Sequence, residues 1–293
     1  MKLTLAFATA LVVAGCTHRA PPVASHPVYT IGSGYEADGV WHYPREDLGY
    51  DRTGLASVYG DDAPTVTADG EGYDPDAMTG AHPTLQLPVI VQVTNLQTGR
   101  QLLLRLNDRG PADPGRILQV TPKAAALLGI PADGAAEVRI VIQQGPSQAL
   151  ADSLGGGMTI AAAPVTGFQS ASLAPPAGVT QSGGNAVGPA AGAGEQAVAQ
   201  AVPPLDLPVT LMQGPADPGG LYIQSGSFGR QSDAWRASAD LSGLPNAHVI
   251  ALAGEGRTLY GVLTGPYPSV PQADAALAST LRSGGIDATI VVR

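Results

Sequence analysis

Val89-Ile90-Val91-Gln92-Val93-Thr94, then Asn95-Leu96-Gln97-Thr98-Gly99, then Gln101-Leu102-Leu103-Leu104-Arg105-Leu106, is the stretch that decides the fold of the first folded unit. β-Branched residues fill the first run, Asn and Gly punctuate the middle, and a second apolar run follows. That is the pattern of an antiparallel hairpin. Downstream, Thr121-Pro122-Lys123-Ala124-Ala125-Ala126-Leu127-Leu128-Gly129 predicts a short helix with a Thr cap, Pro in its first turn and a Gly stop. Ala136 to Ile142 then supplies a closing strand. One short helix among many short strands points to a small β-barrel over residues 35–144.

A second unit, residues 219–293, alternates differently. Strands are expected at Leu221–Gly226, His248–Leu252, Thr258–Thr264 and Ala288–Val292, with helices at Ser232–Leu241 and Pro271–Leu281. The order β-α-β-β-α-β is that of a ferredoxin-like sheet backed by two helices. Between the two units, residues 145–218 hold no Lys or Arg and are built of Ala, Gly, Pro, Ser, Gln and Val. Few large side chains are present to offset ordering entropy, so a flexible linker is expected there.

The start of the chain reads as an address. Residues 1–15 have one lysine, a short uncharged apolar run and small residues before Cys16, which fits a secretory signal too short to span a bilayer. Val13-Ala14-Gly15-Cys16 resembles the bacterial lipobox, which implies lipidation of Cys16 and a membrane anchor without a transmembrane helix. Thr17 stands where an Asp would mark inner-membrane retention, so the expected location is the periplasmic face of the outer membrane. Residues 16–34 would be a lipidated tether. Cys16 is the sole cysteine, so no internal disulfide can form.

The formal charge of −9, with Lys2 and Lys123 the only lysines, argues against a nucleic-acid partner. The histidines, His18, His26, His42, His82 and His248, form no spaced metal set and there is no cysteine pair. No metal and no cofactor are expected.

Five blocks in the first unit belong together. They are Gly54-Leu55-Ala56-Ser57-Val58-Tyr59-Gly60, Thr67-Ala68-Asp69-Gly70-Glu71-Gly72-Tyr73-Asp74, Ala81-His82-Pro83-Thr84-Leu85, Val93-Thr94-Asn95-Leu96 and Arg105-Leu106-Asn107-Asp108-Arg109-Gly110-Pro111. In that order they resemble the rare lipoprotein A family, whose core is a six-stranded double-psi β-barrel. Tyr35 to Tyr50 is similar to its alphaproteobacterial branch. Tyr222-Ile223-Gln224-Ser225-Gly226-Ser227-Phe228 and Val262-Leu263-Thr264-Gly265-Pro266-Tyr267 resemble the SPOR (sporulation-related repeat) domain.

The resemblance implies lytic transglycosylase action on peptidoglycan, with the SPOR unit docking on glycan strands stripped of stem peptides at the division septum, where division-site proteins are possible partners. It places the family's essential residues on Glu71, His82 and Asp108. Asp108 would be the acid and base in turn, Glu71 its electrostatic partner, and His82 an anchor for substrate or carboxylate. Tyr59, Asn107 and Arg109 would contact sugar oxygens; Tyr222, Gln224, Ser227 and Phe228 would form the SPOR platform. The bland readings also fit the residues: Asp108 as a turn former, Glu71 as a solvated loop acid, His82 as a satisfied half-buried imidazole, Phe228 as core.

Several positions depart from the family. Val58 stands where Trp is usual, Asp61-Asp62-Ala63-Pro64-Thr65-Val66 replaces a Phe-His-Gly segment, Gln119 replaces an Asp, and Gly261 replaces an Arg of the SPOR unit. These leave a second reading open, a glycan-binding lipoprotein that cuts little or nothing, and a third, expansin-like one.

Overall fold

A computed structural model describes residues 25–61, 63–156, 206–241, 243–253, 258–285 and 287–293. The signal segment and Cys16 lie outside the described residues. The chain enters through a hairpin, β1 (Tyr35–Ala37) and β2 (Val40–His42), turned at Asp38-Gly39, both with positive φ. Such two-residue turns twist in the sense that paired strands need.

The barrel follows. Its strands are β3 (Asp51–Val58), β4 (Thr79–Ala81), β5 (Val89–Asn95), β6 (Arg100–Asp108), β7 (Arg116–Val120) and, after helix α1 (Pro122–Leu128), β8 (Ala136–Ile142). They run in the order β4-β7-β3-β8-β5-β6, and a parallel β4–β6 pairing closes the ring. This is the six-stranded barrel expected. Val89, Val91 and Val93 alternate inward against Leu102, Leu104 and Leu106, with Val138 and Ile140 completing the core. The Thr121 hydroxyl caps α1 by accepting the Ala124 N–H, and Gly129 ends it in the left-handed region.

Both ends of the expected linker, and the end of the first tether, differ from expectation. Helix α2 (Gln144–Ser153) docks on β5: Leu150 is buried, and Ser147 Oγ accepts from the Ile90 N–H and donates to its carbonyl. Strand β9 (Leu211–Gln213) pairs with the start of β6, Gln101 opposite Met212. Residues 26–30 also lie on the barrel: His26 and Val28 N–H donate to Gly70 and Asp69 carbonyls, and Thr30 pairs with Leu87. Strand β9 and residues 26–30 are held by backbone hydrogen bonds, which composition does not reveal. Residues 157–205 of the expected linker lie outside the described residues.

The second unit has β10 (Leu221–Phe228), α3 (Gln231–Asp240), β11 (His248–Ala253), β12 (Thr258–Tyr267), α4 (Val270–Arg282) and β13 (Thr289–Val292). All strand pairs are antiparallel in the order β11-β12-β10-β13, as a ferredoxin-like unit requires. Ile223 and Ile290 face Ala273 and Leu277 of α4. Leu55 and Leu96 of the barrel join that cluster. Beside it, Arg116 grips both oxygens of Asp274 at 2.6 and 3.0 Å, and the Thr53 hydroxyl donates to the Val292 carbonyl at 2.7 Å. Residues 214–220 are thus the direct link between β9 on the barrel and β10.

Candidate active site

The C-terminal end of β6 brings the candidate residues together. A register shift between Gly80 and Ala81 against Leu106 and Asp108 makes Asn107 a bulge, so the side chains of Asn107 and Asp108 leave the regular alternation. The Asn107 carbonyl accepts from Asp69 N–H and the Asp108 carbonyl from His82 N–H, which ties the 67–71 loop and the 82–85 loop to this one strand end.

The 67–71 loop is held from within. Asp69 is fully buried; its Oδ1 accepts from the Thr67 hydroxyl at 2.7 Å and the Glu71 N–H at 3.1 Å. Gly70 has φ of +95°, and a Cβ there would lie 2.6 Å from the His26 carbonyl oxygen, so the entering chain passes directly over it. The loop delivers Glu71 to β6, where its Oε2 accepts from Arg105 at 2.5 Å and Asn107 at 2.6 Å. Arg105 is buried, and its guanidinium also lies 3.8 Å from Asp69 Oδ2. Burial, above all, pushes the Asp69 carboxyl up from the usual range. A charged pair this enclosed is fixed in place, and its geometry is set before any ligand arrives.

Asp108 is held separately. Its Oδ1 accepts from the Ala68 N–H and its Oδ2 from the Tyr59 hydroxyl, both at 2.9 Å. The Tyr59 ring meets Tyr73 edge-on at 5.1 Å. The structure therefore gathers Tyr59, Glu71, Asn107 and Asp108 at one end of the barrel, with Glu71 tied to a cation and Asp108 to neutral donors. Tyr59 reaches the carboxyl group itself.

Two expected roles are corrected. His82 is about 1% exposed and cannot anchor a ligand directly. Its Nδ1 accepts from the N–H groups of Thr84 and Leu85, both at 3.1 Å, so the ring proton sits on Nε2 and is donated to the Tyr50 oxygen at 2.9 Å. Burial holds its pKa down to about 3, and it is a neutral brace for the loop beside Asp108. Arg109 is spent on main-chain carbonyls: Ile31 at 2.6 Å, His82 at 3.4 Å and Leu85. It clamps the entering chain and the 82–85 loop where a sugar contact was expected.

Asp69 and Arg105 were not recognised as site residues in the sequence. The available signal was a lone arginine inside Leu102-Leu103-Leu104-Arg105-Leu106, since a charge in an apolar strand is buried only when paired. Among the described residues no group of three or more His, Cys, Asp or Glu is placed to hold a metal ion.

In the second unit Tyr222 and Gln224 are half-buried and lie on the alternate positions of β10 from Leu221 and Ile223, on the sheet face away from the helices. The Tyr222 ring lies against Gly220 and Gly265; a Cβ on Gly265 (φ +123°) would be 3.0 Å from it. Ser227 is exposed. Phe228 is half-buried, folded over Gly226 rather than sunk in the core. At Gly261 the space for a side chain is taken by Leu252, 2.9 Å from a Cβ built there.

Residues 51–140 match the family model described as lytic transglycolase (DPBB_1), and residues 217–292 match that of the SPOR domain. The two matches together resemble the order of a double-psi barrel followed by a SPOR domain. Proteins named endolytic peptidoglycan transglycosylase RlpA are similar to this chain. The one from Yersinia pestis is 42% identical over 102 residues, which are 34% of this chain and 28% of that protein. The one from Rickettsia bellii is 38% identical over 116 residues, 38% of this chain and 51% of that protein. The one from Pseudomonas aeruginosa PAO1 is 42% identical over 108 residues, 36% and 32% respectively. This chain thus spans about half or less of the length of these relatives. In this barrel Val58 packs against the core, and Gln119 pairs with Ala81 beside the Asp108 strand end.

Proposed function

We propose that the chain is a peptidoglycan lytic transglycosylase that cleaves the MurNAc–GlcNAc β-1,4 bond of glycan strands lacking stem peptides and leaves a 1,6-anhydro end. The observation that carries this is the pair of carboxyl groups at one barrel end, one fixed by a buried cation and the other by neutral donors alone. Asp108 gives its proton to the leaving glycosidic oxygen, then takes the proton of the same sugar's 6-hydroxyl as that oxygen closes on the anomeric carbon. No water is consumed. Glu71, fixed by Arg105 and Asn107, supplies the negative charge that the oxocarbenium-like transition state needs. The Tyr59 hydroxyl keeps Asp108 in its rotamer through both transfers.

The SPOR domain, through Tyr222, Gln224, Ser227 and Phe228, holds the strand. Cys16 is the site of the lipid anchor, which puts the protein on the outer membrane facing the periplasm, enriched at septa where stripped glycan accumulates and where division-site proteins are available as partners. Incubating the full chain with purified peptide-free strands and analysing the products by mass spectrometry tests the reaction. Anhydro-ended fragments are expected from the wild type and not from Asp108→Asn; their absence from the wild type, or persistence in the variant, overturns the mechanism. Cys16→Ala should move the protein from the membrane to the soluble fraction.

A second reading, glycan binding without cleavage, draws support from Gln119. Its amide replaces a proton-carrying acid beside the cleft. Strands retained by the wild type but left intact would favour it.

A further inference from the structure

Tryptophan is rare in this chain, and it is spent on the surface. Of the two, Trp41 on β2 is 56% exposed, and its neighbour on the same face, Tyr43, is 65% exposed. Large aromatic side chains usually contribute to cores, so two together in solvent on one short hairpin need a reason. Their rings lie near-parallel, 21° apart in plane, with centroids 6.3 Å apart. The opposite face of the hairpin accounts for its rigidity: the Tyr35 and His42 rings stack at 5.2 Å, and the Tyr35 hydroxyl donates to the Pro83 carbonyl.

The hairpin is joined to the barrel end that holds Asp108. It rests on the 82–86 loop, where Arg45 N–H also donates to the Thr84 carbonyl and Asp47 N–H to Gln86 Oε1. That loop begins at His82, whose N–H is bonded to the Asp108 carbonyl. The outward face therefore carries the rim of the same barrel end on which Asp108 sits.

We propose that Trp41 and Tyr43 form an outlying sugar-stacking subsite for the glycan strand that enters the cleft. This rests on the glycan-acting reading above. Aromatic faces are suited to the C–H faces of pyranose rings, and consecutive outward positions of one strand offer two such faces in a line. Glu36 lies directly across from Trp41 on that face and is exposed. Its carboxylate can accept from sugar hydroxyl or acetamido N–H groups. The same charge disfavours the other chemistry that exposed Trp and Tyr could serve, insertion at an anionic lipid surface.

The test uses the full chain carrying Trp235→Phe, which leaves Trp41 as the sole tryptophan. Long peptide-free strands are expected to shift and enhance its emission, and short oligosaccharides of one or two disaccharides to do so weakly. Trp41→Ala with Tyr43→Ala should raise the KM for long strands about tenfold, the factor of ~1.4 kcal/mol, and leave turnover of short oligosaccharides unchanged. Strands that are cut while Trp41 emission stays constant overturn the platform and leave the lyase. An emission change without anhydro products keeps the platform and overturns the lyase. Strands neither bound nor cut overturn both. A response to phosphatidylethanolamine–phosphatidylglycerol vesicles in place of strands overturns the platform in favour of a membrane contact.

Discussion

The Asp108 end of the barrel and the open face of the SPOR sheet are built by opposite means. At the barrel end, Asp69, Arg105 and Asp108 are buried and Glu71 nearly so, and each is held by charged, hydroxyl or backbone partners. On the SPOR sheet, Tyr222, Gln224, Ser227 and Phe228 are neutral and partly open, and two of them are shaped by glycines lying under the rings. A site that moves protons needs charge fixed before the ligand arrives. A site that only grips can use neutral surface, at little cost in desolvation. Under the proposed function, that difference gives chemistry to one unit and retention to the other.

The sharpest way to break that division is Asp108→Asn. It should lower product formation by about 10²–10⁴-fold while strand retention, measured by co-sedimentation, stays near wild type. Next in size, Arg105→Met leaves Glu71 enclosed without its cation and should cost roughly 3–5 kcal/mol of barrel stability in urea unfolding. The equivalent loss of a charge on the SPOR sheet, where the platform has none, has no counterpart.

Acid tests the same contrast. An unfolded histidine takes a proton near pH 6.5, whereas His82 in the fold does so only at about 3. Between those values the unfolded barrel binds more protons, so stability falls as pH falls, by roughly 1.4 kcal/mol per unit from this group. The raised carboxyl of Asp69 acts in the other direction, losing stability as pH rises through its folded value. His82→Gln should flatten the acid slope of the wild type, read from urea midpoints at several pH values; an unchanged slope would remove His82 as its source.

Gly265→Ala adds a Cβ 2.9 Å from the Leu221 carbonyl and 3.0 Å from the Tyr222 ring, at a φ that L residues rarely adopt. It should cost about 1–3 kcal/mol and weaken strand retention, with cleavage of short oligosaccharides unaltered. Smallest, Arg116→Ala removes the partly exposed pair to Asp274 and should cost about 1 kcal/mol or less.

Much of the frame was legible because it rests on periodicity and punctuation. The Val89–Leu106 hairpin, the Thr121-capped helix and the closing strand at Ala136 fall where they were expected. So do the elements of the second unit, within a few residues. Glu71 and Asp108 are candidates because their blocks are ordered along the chain, and the fold brings both to the end of β6. What stayed hidden was decided by three-dimensional neighbours. A histidine before proline does not reveal that both ring nitrogens are consumed by Thr84, Leu85 and Tyr50. Nor does Arg109 beside Asp108 reveal that its donors turn back to Ile31, His82 and Leu85. Leu211-Met212-Gln213 looked like linker because three residues carry no period, and its hydrogen bonds come from β6.

That last strand changes what a break in the chain would do. Helix α2 before residues 157–205 and strand β9 after them are both seated on the barrel. A protease cut within 157–205 would therefore leave two fragments held together by β9 on β6, by Leu55 and Leu96 in the shared cluster, and by the Arg116–Asp274 clasp. The nicked protein would run as one particle on a sizing column and as two bands under denaturing conditions. Severing the polypeptide would not, by itself, part the barrel from the SPOR domain.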